Sequence, residues 1–159
     1  VLQEYARSNM LEKIYLISNK NVESIVGDVT IKNYWDEINS AISSTYHMIN
    51  VFEKTEPLLV NHHNTKETTK VGTFGVVNFE TGKEKTFYDL QFPRIKNYFY
   101  GISKETMDDK KILNKIRSFI NSKKEEKLDV GFSISPTDYD DNYIYSIHYA
   151  SFVQEQNLD

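Results

Sequence analysis

Cysteine is absent from the 159 residues, which excludes disulfides, thiolate catalysis and cysteine-ligated zinc. It leaves the compartment open, because cysteine-free chains occur both inside and outside cells. No apolar run approaches the roughly 18 residues that a membrane span needs. The net charge of −4 is spread over mixed signs, with neither a broad basic field nor an acidic tail, so nucleic acid is not an expected partner. Catalytic signatures are missing as well. The glycines at 72, 75 and 82 do not make GxGxxG, and there is no P-loop, no GxSxG and no HExxH. The expectation is a non-enzymatic chain with no cofactor and no metal.

What is present is aromatic. Eleven tyrosines and nine phenylalanines bring the aromatic fraction to 13%, enough apolar area to offset chain entropy, and the length fits a single domain over 1–159. Neither an internal repeat nor a low-complexity segment interrupts it. The chain begins at Val1 rather than Met, which suggests a processed or excised segment with a signal peptide or anchor outside it.

Apolar spacings of three and four predict a helix over Leu2–Ile17 and a second from Lys32 to about Glu53, stopped by Pro57. Val22–Ile31 fits a short strand or a helical piece. Leu58–Val60 starts a strand, and the polar tract Asn61–Lys70 reads as an exposed loop. The centre is Val71–Ile102: a run Thr73–Phe79, a Glu80–Lys83 turn and a run Lys85–Leu90 make a hairpin. After it, Pro93 opens a short helix over Gln91–Ile102 carrying Ile95, Tyr98 and Phe99. Ser103 caps a third helix through Ile112, Ile116 and Ile120 to Lys123 and Lys124. Leu128–Val153 supplies two strands in an antiparallel pair. The last has Tyr143, Tyr145, Ile147, Tyr149 and Val153 on one face and Ile144, Ser146, His148, Ala150 and Phe152 on the other, so both faces are covered. The expected class is α+β, an antiparallel sheet of about five strands packed by three to four helices, with N-terminal helices in 1–55 and the sheet with its inserted helix in 58–153.

Adjacent His62 and His63 invite a metal, but neighbouring side chains diverge and no companion spacing follows, so a solvated loop is expected. His47 reads as a core or boundary histidine, and His148 as a sheet histidine that can face a pocket. Asp138, Asp140 and Asp141 lack the glycine and closing glutamate of an EF-hand and read as a turn. Gly75 marks a bulge or a close backbone approach. Tyr88, Tyr98, Tyr100, Tyr139, Tyr143, Tyr145 and Tyr149, with Arg94 nearby, can form either a core layer or the amphipathic walls of a site, where Arg94 would hold a carboxylate.

In the order of its elements, the chain resembles the membrane-distal half of the extracytoplasmic PAS-like sensor domains called Cache or PDC domains. FGVVNFETGK is similar to their strand and turn, RIKNYFYGI to their aromatic helix and SISPTDYDDNYIYSIHYASFV to their returning strands, together spanning about Val71–Val153. It departs from them in the long helix over Ser103–Glu126, and only Asp138 or Asp140 stands where the family offers an aspartate to an amine. The resemblance implies a pocket lined by Arg94, Tyr98, Tyr100 and Tyr139. Tyr145 and His148 join it as candidate ligand-binding residues. The leading expectation is a small-ligand sensing domain of a membrane-associated signalling protein, extracytoplasmic and able to form a homodimer. The alternative is a protein-interaction or assembly module of phage, secretion or immunity type with an exposed tyrosine-rich surface. A hydrolase stands third, to be revived by a cleft where His148 and acids converge.

Overall fold

A computed structural model describes residues 1–64, 69–151 and 153–154. The elements in order are α1 (Leu2–Arg7), β1 (Ile14–Tyr15), α2 (Asn19–Val26), a 3-10 turn (Ile31–Asn33), α3 (Tyr34–Lys54), β2 (Leu59–Asn61), β3 (Val71–Val77), β4 (Glu84–Thr86), β5 (Pro93–Ser103), α4 (Lys104–Met107), α5 (Ile112–Lys123), β6 (Asp129–Thr137) and β7 (Tyr143–Ala150). The class is α+β. The strands form one seven-stranded sheet in the order β1-β3-β7-β5-β6-β2, with β4 paired to β3.

The sheet is mixed rather than antiparallel. β5 runs parallel to β6 and antiparallel to β7, and β1 runs parallel to β3. The expected β6–β7 pair does not form, because β5 lies between the two. The helix expected over Gln91–Ile102 is this same central strand. Its aromatic and β-branched residues suit a pleated surface, and hydrogen-bonded neighbours on both edges outweigh a helical spacing of only three apolar positions. The helix expected over Leu2–Ile17 ends at Arg7. Asn9 takes a left-handed conformation (φ 63°), which asparagine tolerates, and Ile14–Tyr15 joins the sheet edge at Val71–Gly72. The undecided Val22–Ile31 region holds α2, whose first turn is capped by the Ser18 hydroxyl accepting from the Asn21 amide.

Both faces of the sheet are covered. On one, α2 and α3 bury Val22, Ile38, Ile49 and Phe52 against Phe74, Phe99 and Ile147. On the other, α5 buries Ile116 and Ile120 against Tyr98, Tyr100, Val130 and Ile144. Gly101 seats α3, since a Cβ there would run into the Phe52 ring. Among positions expected from the sequence, residues 65–68 of the polar tract and Phe152 lie outside the described residues.

Candidate functional site

A charged cluster sits inside the apolar layer beneath α5. Glu84 is on β4, at the edge of the sheet, yet it hydrogen-bonds across β3 to residues of β7 and β5. Gly75 makes this reach possible: it lies on β3 opposite both Thr86 and Ser146, and a Cβ there would collide with Ser146 Oγ. The close approach expected at Gly75 is therefore the passage for this carboxylate. Ser146 Oγ donates to Glu84 Oε2 at 2.9 Å, His148 Nε2 lies 3.1 Å from the same oxygen, and Tyr98 Oη donates to Oε1 at 3.0 Å. Lys123, in the last turn of α5, places its ammonium 3.7 Å from Oε1.

Burial alone would raise the Glu84 pKa. The His148 hydrogen bond and charge, the Ser146 hydroxyl and Lys123 outweigh it and hold the carboxyl at about 2. The group is ionised at neutral pH, so His148 Nε2 carries the proton of that bond. Burial, and next the Glu84 charge, push the Tyr98 and Tyr100 hydroxyls well above the ordinary tyrosine range.

The cluster opens on a cleft of about 440 Å3 lined by Lys83, Glu84, Tyr88, Pro93, Lys96, Lys123 and His148, among others. His148 is 5% exposed, with Nε2 committed to Glu84. Its Nδ1 has no hydrogen-bond partner among the described residues, and the residue lines the cleft. A carboxylate-oriented imidazole of this kind can accept or donate a proton at Nδ1. It is not a nucleophile triad, because Ser146 hands its hydrogen to Glu84 and not to His148.

The residues singled out from the sequence separate. Tyr98 and His148 come together, their rings 6.1 Å apart. Tyr100 is buried on the same face and lines a small apolar cavity with Ile116 and Phe119. Tyr145 lies on the opposite face, tilted against Phe52 at 6.1 Å. Tyr139 is 56% exposed beyond the sheet, and Arg94 is exposed at the start of β5. No pocket joins these six residues among those described. His62 does not sit in open solvent. It packs edge-on to Phe99 and meets the Tyr98 carbonyl at 3.3 Å, and burial lowers its pKa. His47 is exposed rather than at a core boundary. Glu84, Ser146, Lys96 and Lys123 carry no sequence signal as a site, since Glu84 meets its β7 partners across 62 and 64 residues of chain.

A second feature lies on the other side of the molecule. At the head of α3, Ile31 is 98% and Trp35 62% exposed, beside a shallow depression lined by Val26, Asn33, Asp36, Glu37, Ser40, Ala41 and Ser44. The Trp35 ring meets Tyr34 edge-on at 5.2 Å.

No family model matches the sequence, and no curated protein matches it. Among solved structures, the chain is similar to a dimer of FtsZ from M. jannaschii, with a TM-score of 0.59 and 9% identity over 95% of this chain and 53% of that one. It is also similar to a GTPγS-form protofilament of TubZ from Bacillus thuringiensis serovar israelensis, with a TM-score of 0.51 and 15% identity over 85% of this chain and 41% of that one. The chain thus spans about half the length of these structures. At such identities the likeness is one of fold alone. It overturns the resemblance to PAS-like Cache domains and, with it, the reading as a small-ligand sensing domain of a membrane-associated signalling protein. The stretch taken for the aromatic helix of those sensors is the central strand β5. The same matches overturn the alternative of a phage, secretion or immunity module with an exposed tyrosine-rich surface, and Tyr98, Tyr100 and Tyr149 are buried at 0 to 4% exposure.

Proposed function

We propose that the chain is the assembly-bearing part of a filament-forming subunit of the FtsZ and TubZ kind, binding further copies of its own subunit in a nucleotide-dependent way. The observation that carries this is the fold match over 95% of the chain to a protein described as a dimer, joined by a match to one described as a GTPγS-form protofilament. The part we assign to the chain is contact between subunits. Repeated head-to-tail contacts that do not close generate filaments, and such contacts need an apolar surface on a rigid element. The head of α3 supplies one, with Ile31 exposed on the 3-10 turn that leads into it and Trp35 exposed on the 21-residue helix itself, which Ile38, Ile49 and Phe52 fix to the sheet.

The test is sedimentation of the longest product of the gene with GTP, GTPγS and GDP. Nucleotide-dependent pelleting above a critical protein concentration is the expected result. A protein that stays monomeric in the supernatant with every nucleotide, at concentrations up to about 100 μM, overturns the proposal.

A further inference from the structure

We infer that the cleft over His148 is a binding site for a small phosphate-bearing anion, a use independent of filament assembly. Three lysines from separate elements converge on it: Lys83 from the turn before β4, Lys96 from β5 and Lys123 from the end of α5. Lys123 is paired with Glu84. The side chains of Lys83 and Lys96 have no hydrogen-bond or ion-pair partner among the described residues, so two ammonium groups are left for a ligand. This gathering occurs in a chain whose overall charge is −4.

The second and independent observation is His148 itself. It is 95% buried and lines the cleft, its Nε2 is fixed by Glu84, and its Nδ1 has no partner among the described residues. Its register neighbour on β5 is Lys96, which places the ammonium and the imidazole side by side on the same face of the sheet. The acidic groups on the rim are already engaged. Glu84 accepts from His148, Ser146 and Tyr98 as well as pairing with Lys123, and Asp89 Oδ1 accepts from Asn21 Nδ2 at 3.1 Å. Ammonium donors arriving from a turn, a strand and a helix end suit a tetrahedral oxyanion that accepts in several directions, and Nδ1, the unprotonated nitrogen of an imidazole whose Nε2 donates to Glu84, accepts from the P–OH of a partly protonated phosphate. A planar carboxylate would be met on one edge only. The volume of about 440 Å3 leaves room for a small organic group on the phosphate.

The experiment is a titration of the 159-residue protein with inorganic phosphate, glycerol phosphate and acetate at matched ionic strength. It is followed by the imidazole nitrogen resonances of the four histidines. A saturable movement of the His148 Nδ1 signal with both phosphates is expected, with acetate at least about tenfold weaker. Lys96→Gln should weaken phosphate about tenfold, the scale of one lost charge-assisted hydrogen bond, while Lys110→Gln, on an exposed loop, leaves it unchanged. Glycerol phosphate binding as well as or better than inorganic phosphate marks an ester ligand, and the reverse order marks the free ion. Absence of a saturable shift, equal affinity for acetate, or a Lys96→Gln titration superimposable on that of the original protein overturns the inference. Folding of each variant is read from the same spectra, so a collapsed protein is not mistaken for a lost site.

Discussion

Replacing Glu84 by glutamine separates the charge of the buried cluster from its shape. The glutamine keeps the length and one acceptor oxygen but removes the negative charge that His148, Ser146, Tyr98 and Lys123 surround. The carboxyl titrates at about 2 in the fold, against 4.5 for the free group. With a side chain 9% exposed there is little solvent to screen the difference, which corresponds to about 3 kcal/mol of stability. The sign follows from the depressed value. The contribution is complete above pH 5 and is lost as pH falls through 4.5 toward 2, with about two-thirds gone by pH 3. Urea unfolding of the two proteins at steps between pH 7 and pH 3 reads this directly. Glu84→Gln should be less stable by about 3 kcal/mol at pH 7, and the gap should shrink by about 2 kcal/mol at pH 3. Parallel stability curves across that range would show that Glu84 has no depressed titration and refute the cluster as drawn.

Other consequences follow from the same packing. Gly75→Ala places a methyl against Ser146 Oγ, blocks the path of Glu84 and should cost about 1–3 kcal/mol by chemical denaturation, far more than an alanine on an exposed strand. Tyr98→Phe removes one donor to a charged oxygen and should cost about 2 kcal/mol. A spectrophotometric titration of the eleven tyrosines should leave at least Tyr98, Tyr100 and Tyr149 un-ionised at pH 11 in the folded protein, their hydroxyls held up chiefly by burial. Trp35→Ser, at an exposed position, should change stability by no more than about 0.5 kcal/mol yet reduce nucleotide-dependent pelleting. Because Trp35 is the sole tryptophan, acrylamide quenching of its fluorescence in the unaltered protein should fall as assembly proceeds.

The parts of the fold that were legible in the sequence are those set by local pattern. The run of apolar residues from Tyr34 to Phe52 at spacings of three and four marks α3, with Pro57 soon after its end. The Glu80–Lys83 turn marks the β3–β4 hairpin, and Ser103 marks a helix start, though α4 ends at Met107 and α5 begins afresh at Ile112. β5 was not legible. As a central strand buried on both faces it has no polar alternation, so Ile95, Tyr98 and Phe99 pass for one face of a helix. Nor does the sequence show that β5 slides between β6 and β7, because that placement comes from sheet topology rather than from any residue of the two later strands. The site divides in the same way. His148 could be picked out as a polar side chain on a tyrosine-rich strand, and Tyr98 as an aromatic candidate, although on an expected helix and not on β5. Glu84 could not, because it stands on a three-residue edge strand and reaches its partners only through the gap above Gly75.

Assembly is tested most directly by electron microscopy of the gene product incubated with GTPγS and, in parallel, with GDP. Filaments of regularly repeating subunits with GTPγS that are lost in the Trp35→Ser protein are the expected result. Discrete monomers with either nucleotide, under conditions where the protein is folded and the Glu84 cluster intact, would contradict the filament-forming role.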